Sequence, residues 1–405
     1  MARTSRPPVS LPLLLTSVSG LAQHIPFSAV EAALTEHHQH QVRTRLLPAA
    51  LVVYFVIALS LFRAYAHREV LRCVLDGLRT LSGMSGARVP IATKGPISRA
   101  RTRLGSAVLA TLCQQVLRPL ATPQTRGAWF HGLRVLALDG TTLSVPDTAD
   151  NRATFGLHGL SAFPLVRLVA LVEVGTHAII RAAFAACQVA ERTLADRLLP
   201  ALGPGMLVLE DRGFVGYAWW RQVQATGADI LCRVRSNRHL PVLQVLDDGS
   251  YLSVLSPPGG TAGAPIPVRV IEYTLRGVPG AAEHYRLCTS LLDPLTAPAA
   301  ELAALYHERW EAESVFDEAK THLRGGAHIR LRSKTPDLVQ QEIYGLLLAH
   351  FVVRAVLHEA ALPIGEDPDR LSFTHAVQVL RRRLPQVAGV FSPSASADLV
   401  SAGAR

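Results

Sequence analysis

Three carboxylates in this 405-residue sequence stand where an acid is awkward unless it has chemistry to do. Asp139 follows the apolar run Val135-Leu136-Ala137-Leu138 inside a segment that reads as a strand. An unpaired anion buried there costs several kcal/mol, so a partner cation or a metal is expected. Asp211 ends the run Met206 to Glu210 and precedes Arg212-Gly213-Phe214, at the carboxyl end of a predicted strand, where α/β sheets gather their ligands. Either residue alone suits a turn Asp that caps the next element. The third signal is a set. Tyr306, Arg309, Glu313 and Lys320 follow one another at steps of three, four and seven, which at about 100° per residue puts all four on one face of a helix. A carboxylate is thereby bracketed by two cations and a phenol, although a solvated helix with i,i+4 ion pairs has the same texture.

The elements that must carry these residues fall into blocks. After a flexible segment 1–27, residues 28–125 read as an all-α unit, with amphipathic stretches Val30 to Leu47, Leu51 to Leu81 and Ile97 to Leu117 and breaks at Ser82-Gly83 and Gly95-Pro96. Lys94, Arg99, Arg101 and Arg103 lie on or just before a helix opening at Pro96 to Ser98, which presents charge to phosphates or simply to solvent. Residues 126–235 alternate short β-branched runs with two helices and read as an α/β core. Residues 236–297 are β-rich, with a hairpin signal at Asp247-Asp248-Gly249. Helical periodicity resumes in 298–335 and continues in a C-terminal helical region, 336–405.

Composition narrows the partner. Forty-one Lys plus Arg against 31 Asp plus Glu give a formal charge of +10, and 49% hydrophobic residues exclude a disordered chain, so a folded protein with a polyanionic partner such as nucleic acid is expected. Lys94, Lys320 and Lys334 are the only lysines, and a Lys in so Arg-rich a chain stands out. Five widely spaced cysteines make neither a disulfide framework nor a CxxC metal site and read as buried thiols of a cytoplasmic protein. Arg3 and Arg6 before the apolar stretch Val9 to Ala22 suggest a leader, but Pro7, Pro8 and Pro12 interrupt it. The uncharged run Leu46 to Phe62 is at the lower limit for a bilayer span and reads as a buried helix, so no membrane association is expected.

In combination these motifs carry a resemblance. The chain resembles bacterial insertion-sequence transposases of the DDE type, in the insertion sequence 4 group marked by a Tyr-x2-Arg-x3-Glu-x6-Lys signature. Tyr306, Arg309, Glu313 and Lys320 match that spacing; Asp139-Gly140-Thr141-Thr142 and Asp211-Arg212-Gly213-Phe214 match the two Asp motifs. Pro146-Asp147-Thr148, Asn151, Phe155-Gly156 and the segment Thr321 to Gly325 match further, and the likeness runs from about residue 28 to 385.

The resemblance implies an α/β fold with an RNase H-like catalytic core, interrupted by the β-rich insertion, preceded by the all-α N-terminal domain and followed by C-terminal helices. It implies an enzyme that binds the terminal inverted repeats of its element as double-stranded DNA. Such an enzyme pairs the ends as a homodimer, cuts them and joins them to target DNA in the nucleoid. Asp139, Asp211 and Glu313 are then the catalytic and metal-binding residues, holding two Mg²⁺, with Mn²⁺ able to substitute; hard oxygen ligands suit these ions without His or Cys. Arg309 and Lys320 would clamp phosphates, and Tyr306 would donate to a phosphate or stack on a displaced base. A DNA-binding protein derived from a transposase but catalytically silent is the competing reading. Two departures stand out. The four tryptophans, Trp129, Trp219, Trp220 and Trp310, lie outside the insertion, where some relatives use one to stack on a flipped base; Tyr251, Tyr273 or Tyr285, or Trp310 from the helix, would have to substitute. Glu210 stands where a small residue is more familiar.

Overall fold

A strand buried on both faces is apolar throughout, whereas a helix apolar all round belongs inside a bundle, and both patterns occur here. The structure, a computed structural model, describes residues 24–39, 47–82, 91–159, 161–235, 237–259, 263–274, 284–323, 325–326 and 329–383. The flexible segment, for residues 1–23, the Gly83 break and Arg324 lie outside these, as do residues 384–405. Among the described residues the first helices are α1 Phe27–Glu36, α2 Ala49–Leu61, α3 His67–Ser82, α4 Lys94–Leu104 and α5 Ala107–Val116. All 13 residues of α2 are buried, as are Leu47 and Phe62, which accounts by packing for the described part of the apolar run. The helix α4 opens at Lys94, two residues before the proline, so Gly95-Pro96 is its first turn and not a break.

The core strands are β1 Trp129–Phe130, β2 Leu133–Ser144, β3 Leu165–Glu173 and β4 Ala178–Ala186, with helix α6 Ala149–Phe155 between β2 and β3. After α7 Glu191–Asp196 come β5 Met206–Glu210, α8 Tyr217–Ala225 and β6 Asp229–Arg233. β2, β3 and β4 form an antiparallel meander, while β5 and β6 run parallel to β2, giving the order β4-β3-β2-β5-β6. That order with those directions is the RNase H-like sheet. Val135 to Leu138 and Leu207 to Leu209 are entirely buried, as central strands covered on both faces must be.

The insertion strands β7 Gln244–Val245, β8 Tyr251–Leu255, β9 Ile266–Tyr273 and β10 Tyr285–Thr289 do not stand apart. β10 pairs antiparallel with β6, Cys288 opposite Cys232, and the ladder continues β10-β9-β8-β7, making one ten-stranded sheet with β1 paired to β2. The edge that β6 would leave open is thereby covered.

The signature segment is helical but irregular: α9 Ala299–His307, a 3₁₀ turn Glu308–Trp310, α10 Glu311–Asp317 and a π turn Glu318–Leu323. The single continuous helix expected from the spacing is corrected here, because 3₁₀ and π turns shift the angular phase and 100° per residue no longer holds from Tyr306 to Lys320. The last helices among the described residues are α11 Pro336–Ala361 and α12 Phe373–Arg383. α11, continued to Ile364, is the one helix among the described residues long and apolar enough to cross a bilayer, and 89% of its apolar window is buried inside the protein. It packs against α2, where a Cβ on Gly345 would lie 2.8 Å from the Val56 carbonyl oxygen; only glycine permits that crossing. Buried Glu173 ties the segment after α5 to the sheet, accepting from the backbone N–H of Leu120 and Ala121 at 2.9 and 2.8 Å and from the Thr176 hydroxyl at 2.6 Å, and pairing with Arg134. All five cysteines are buried and outside any disulfide.

Candidate active site

Position on the sheet brings the two aspartates together. β2 and β5 are parallel neighbours whose register pairs Leu138 with Glu210, so Asp139 and Asp211 each follow the same rung on adjacent strands. The Gly140 N–H donates to Asp139 Oδ1 at 2.8 Å, and the Gly213 N–H to Asp211 Oδ1 at 2.7 Å. Any Cβ at position 213 would stand 2.9 Å from that same oxygen, which explains the glycine after Asp211-Arg212.

α10 packs over β2 and supplies Glu313, and the 3₁₀ turn before it supplies Arg309. The Arg309 guanidinium lies between two carboxylates, Nη1 at 3.3 Å from Asp139 Oδ2 and Nη2 at 3.6 Å from Glu313 Oε1. Arg309 is 8% exposed, whereas the Glu313 side chain is half exposed, so the group opens outward through the glutamate. Burial raises the Asp139 carboxyl above its ordinary range; the Gly140 N–H and Arg309 pull it back, and the charges of Asp211 and Glu313 push it up again. The three acids therefore feel one another across a single site. A cleft of about 230 Å³ opens beside them, lined by Asp211, Arg212, Arg233, Tyr285, Tyr306, His307 and Arg309. It adjoins a larger one of about 850 Å³ walled by Arg212, Arg233, Arg235, Asn237, His284 and Arg286, with Glu272 the one acid in its lining.

Two sequence expectations are corrected. Tyr306 lines the cleft but is 4% exposed, and its hydroxyl donates to the Glu210 carbonyl oxygen at 3.0 Å, so in this structure the hydroxyl holds the backbone just before Asp211 and is not offered to a phosphate. Arg101 is 3% exposed and committed to Gln341 Oε1 at 3.3 Å, Ser333 Oγ at 3.2 Å and the Leu338 carbonyl at 3.0 Å, so it joins α4 to α11 rather than meeting phosphates. Arg99 and Arg103 remain exposed on α4, and Lys320 is half-buried on the π turn.

The two departures also find places. Glu210 is fully buried, accepts from Trp219 Nε1 at 2.7 Å, and burial pushes its carboxyl up to about 8 despite that bond and Arg192. Tyr273 and Tyr285 stack on each other at 5.3 Å with Arg233 over the Tyr285 ring at 4.4 Å, whereas Tyr251 is buried on β8. The arginines Arg212, Arg233, Arg235 and Arg286 were missed in the sequence. Arg233-Val234-Arg235 at the carboxyl end of the strand beside the Asp211 strand was the available signal. Lys94 and Lys334, two of the three lysines, meet in another cavity of about 580 Å³ with Arg68, Arg332 and His67, and the buried Arg101 also lines it, where α4 faces the start of α11.

An RNase H-like sheet with acids gathered at the carboxyl ends of its central strands is the frame of metal-dependent enzymes that break and join nucleic-acid backbones. Residues 130–352 match the family of the transposase DDE domain, and residues 15–114 match the insertion element 4 transposase N-terminal region. The chain therefore belongs to the DDE transposases of the insertion sequence 4 family, metal-dependent enzymes of DNA cleavage and strand transfer. It is 27% identical to the transposase InsG for insertion sequence element IS4 of Escherichia coli (strain K12), over 96% of this chain and 89% of that protein. It is 29% identical to the putative transposase InsZ of the same organism, over 48% of this chain and 63% of the other. Among solved structures it is similar to the piggyBac transposase in a synaptic complex with hairpin DNA, at 11% identity and a TM-score of 0.43, over 95% of this chain and 81% of that one.

Proposed function

We propose that Asp139, Asp211 and Glu313 are the catalytic carboxylates and hold two Mg²⁺ ions, with Mn²⁺ able to replace them. The observation that carries this is the Arg309 guanidinium seated between Asp139 and Glu313, with Asp211 on the next strand: three acids share one charge environment that calls for cations. The donor set fits, being hard carboxylate oxygen with an outward-facing member and no soft ligand. When bound, paired divalent ions activate the attacking oxygen and stabilise the leaving oxygen of an in-line displacement at phosphorus. The chain's own groups do the rest. Arg309 fixes the two acidic side chains it bridges and reaches the cleft, Tyr306 fixes the backbone before Asp211, and Lys320 meets a phosphate as a point charge.

The substrate is double-stranded DNA bearing the element's terminal inverted repeats, cleaved and then joined to target DNA. Arg212, Arg233 and Arg235 beside the acids present five donors each to phosphate oxygens, and Tyr285 offers the aromatic face that the insertion's missing tryptophan does not. The helical unit of residues 28–125 grips the end through Arg99 and Arg103 and through the cavity of Lys94 and Lys334, the core occupies 126–335 around the insertion, and two copies pair the two ends. The test uses terminal-repeat duplexes with Mg²⁺, Mn²⁺ and Ca²⁺. Cleavage with the first two, and binding without turnover in Ca²⁺, is the expected result. Binding to element ends no tighter than to unrelated DNA of equal length, with no cleavage in Mg²⁺ or Mn²⁺, would overturn it.

A further inference from the structure

The signature segment has a second acidic face, pointing away from Asp139. His177 follows a 3₁₀ turn, Val174–Thr176, at the β3–β4 connection and adopts a left-handed backbone (φ 56°), which turns its ring inward; it is 3% exposed. Its Nε2 pairs with the carboxylate of Glu311 on α10. Asp369, from the 3₁₀ turn Pro368–Arg370, completes the group: one donor atom each from His177, Glu311 and Asp369 lies within 4.8 Å of the other two. Among the described residues it is the one such group of three; Asp139, Asp211 and Glu313 are not drawn in as tightly.

Charge points the same way. Arg354 is the guanidinium nearby, but it is committed to Glu318, which also accepts from His350 at 3.1 Å. Glu311 and Asp369, both half-buried, and the exposed Glu308 beside them are left facing an imidazole. Glu318 sits 3.5 Å from His177 Nδ1, and Arg354 Nη2 touches the same nitrogen.

We infer that His177, Glu311 and Asp369 form a second cation site, independent of the catalytic acids, that takes a first-row transition-metal dication such as Zn²⁺. One imidazole nitrogen with two carboxylate oxygens is a borderline donor set that suits Zn²⁺ better than Mg²⁺. Donors bound about 2.1 Å from one ion stand up to about 4.2 Å apart, so small side-chain adjustments close the group. The ion ties three distant stretches together: the β3–β4 turn, the helix that carries Glu313 two residues beyond Glu311, and the C-terminal turn before α12.

The site is tested on the full chain carrying Asp139→Asn, Asp211→Asn and Glu313→Gln, so that the catalytic acids cannot contribute, after stripping with a chelator. Calorimetric titration with Zn²⁺ should show one equivalent bound, with a higher melting temperature. Adding Asp369→Asn should weaken binding by about tenfold or more and remove the thermal shift. Co²⁺ should give a visible d–d band that His177→Asn abolishes. Asn tolerates the left-handed backbone, and if that variant still fails to fold, the half-buried Asp369 decides alone. A folded triple variant that takes up no Zn²⁺, or uptake unchanged by Asp369→Asn, would overturn the inference.

Discussion

Replacing Arg101 with alanine should cost stability and leave the electrostatics of DNA binding unchanged, the opposite of what a basic helix suggests. The guanidinium is 3% exposed and donates to Gln341, Ser333 and the Leu338 carbonyl, while Gln341 Nε2 donates back to the Arg101 carbonyl at 2.8 Å. Hydrogen bonds from a charged donor contribute roughly 1.5–3 kcal/mol each, but these share one site and do not add. Removing the guanidinium leaves buried neutral acceptors unpaired and therefore costs about 1–3 kcal/mol, a sizeable part of a total stability of about 5–15 kcal/mol. Arg99→Ala, on the exposed side of the same helix, should stay within about 0.5 kcal/mol. Urea unfolding of both variants gives the first comparison. The second is the slope of log K against log[salt] for terminal-repeat binding, corrected for folded fraction: Arg99→Ala should flatten it by about 0.9 and Arg101→Ala not at all. An Arg101→Ala protein as stable as wild type with a flattened slope would refute the argument.

Glu210→Gln should remove a pH dependence. Because the folded acid, at about 8, holds its proton more tightly than the unfolded one, wild type loses stability as pH rises through that interval. The loss is about 3 kcal/mol between about pH 5.5 and 8.5, which metal-free urea titrations of both proteins should show as a difference. Tyr306→Phe should lose about 1 kcal/mol from its bond to the Glu210 carbonyl, and titration of end binding by gel shift should give the wild-type affinity; weaker binding by the folded variant would return the ring to the DNA interface. Gly345→Val should destabilise by at least about 2 kcal/mol in urea, since its Cβ meets the Val56 backbone; a smaller loss would mean α2 and α11 can part. On a pre-nicked terminal-repeat duplex at saturating protein, Glu313→Gln should bind and not cut, while Arg309→Ala should misplace the end. Normal binding by Arg309→Ala with lost binding by Glu313→Gln would reverse those roles.

The proposed catalytic acids stood out in the sequence because each broke a local rule: Asp139 put an anion into an apolar strand, and Asp211 stood at a strand's carboxyl end. Glu313 was legible through its spacing to Tyr306, Arg309 and Lys320, although a stripe drawn at 100° per residue did not foresee that Tyr306 would be mostly buried and bonded to the Glu210 carbonyl. Arg101 was misread although the signal was present. Ile97 and Leu104, four before and three after it, are the buried face of α4, so Arg101 shares an apolar stripe, whereas Arg99 does not. The insertion's hairpin was readable from Asp247-Asp248-Gly249, but the pairing of β10 with β6 joins residues more than 50 apart through backbone groups that leave no mark on residue type. The arginine-lined cleft depends on that pairing and was invisible for the same reason. The group of His177, Glu311 and Asp369 unites three stretches that no spacing rule connects.

In the proposed reaction Asp139, Asp211 and Glu313 act as one site. The direct measurement is end cleavage of a terminal-repeat duplex in Mg²⁺ by Asp139→Asn, Asp211→Asn, Glu313→Gln and their pairwise combinations, with binding followed separately. Each single variant should bind the end, fall below a few per cent of wild-type cleavage, and lose nothing more in the double variants, because residues that act as a unit are not additive. Cleavage above a few per cent by any folded single variant, or losses that multiply from single to double, would contradict that reading.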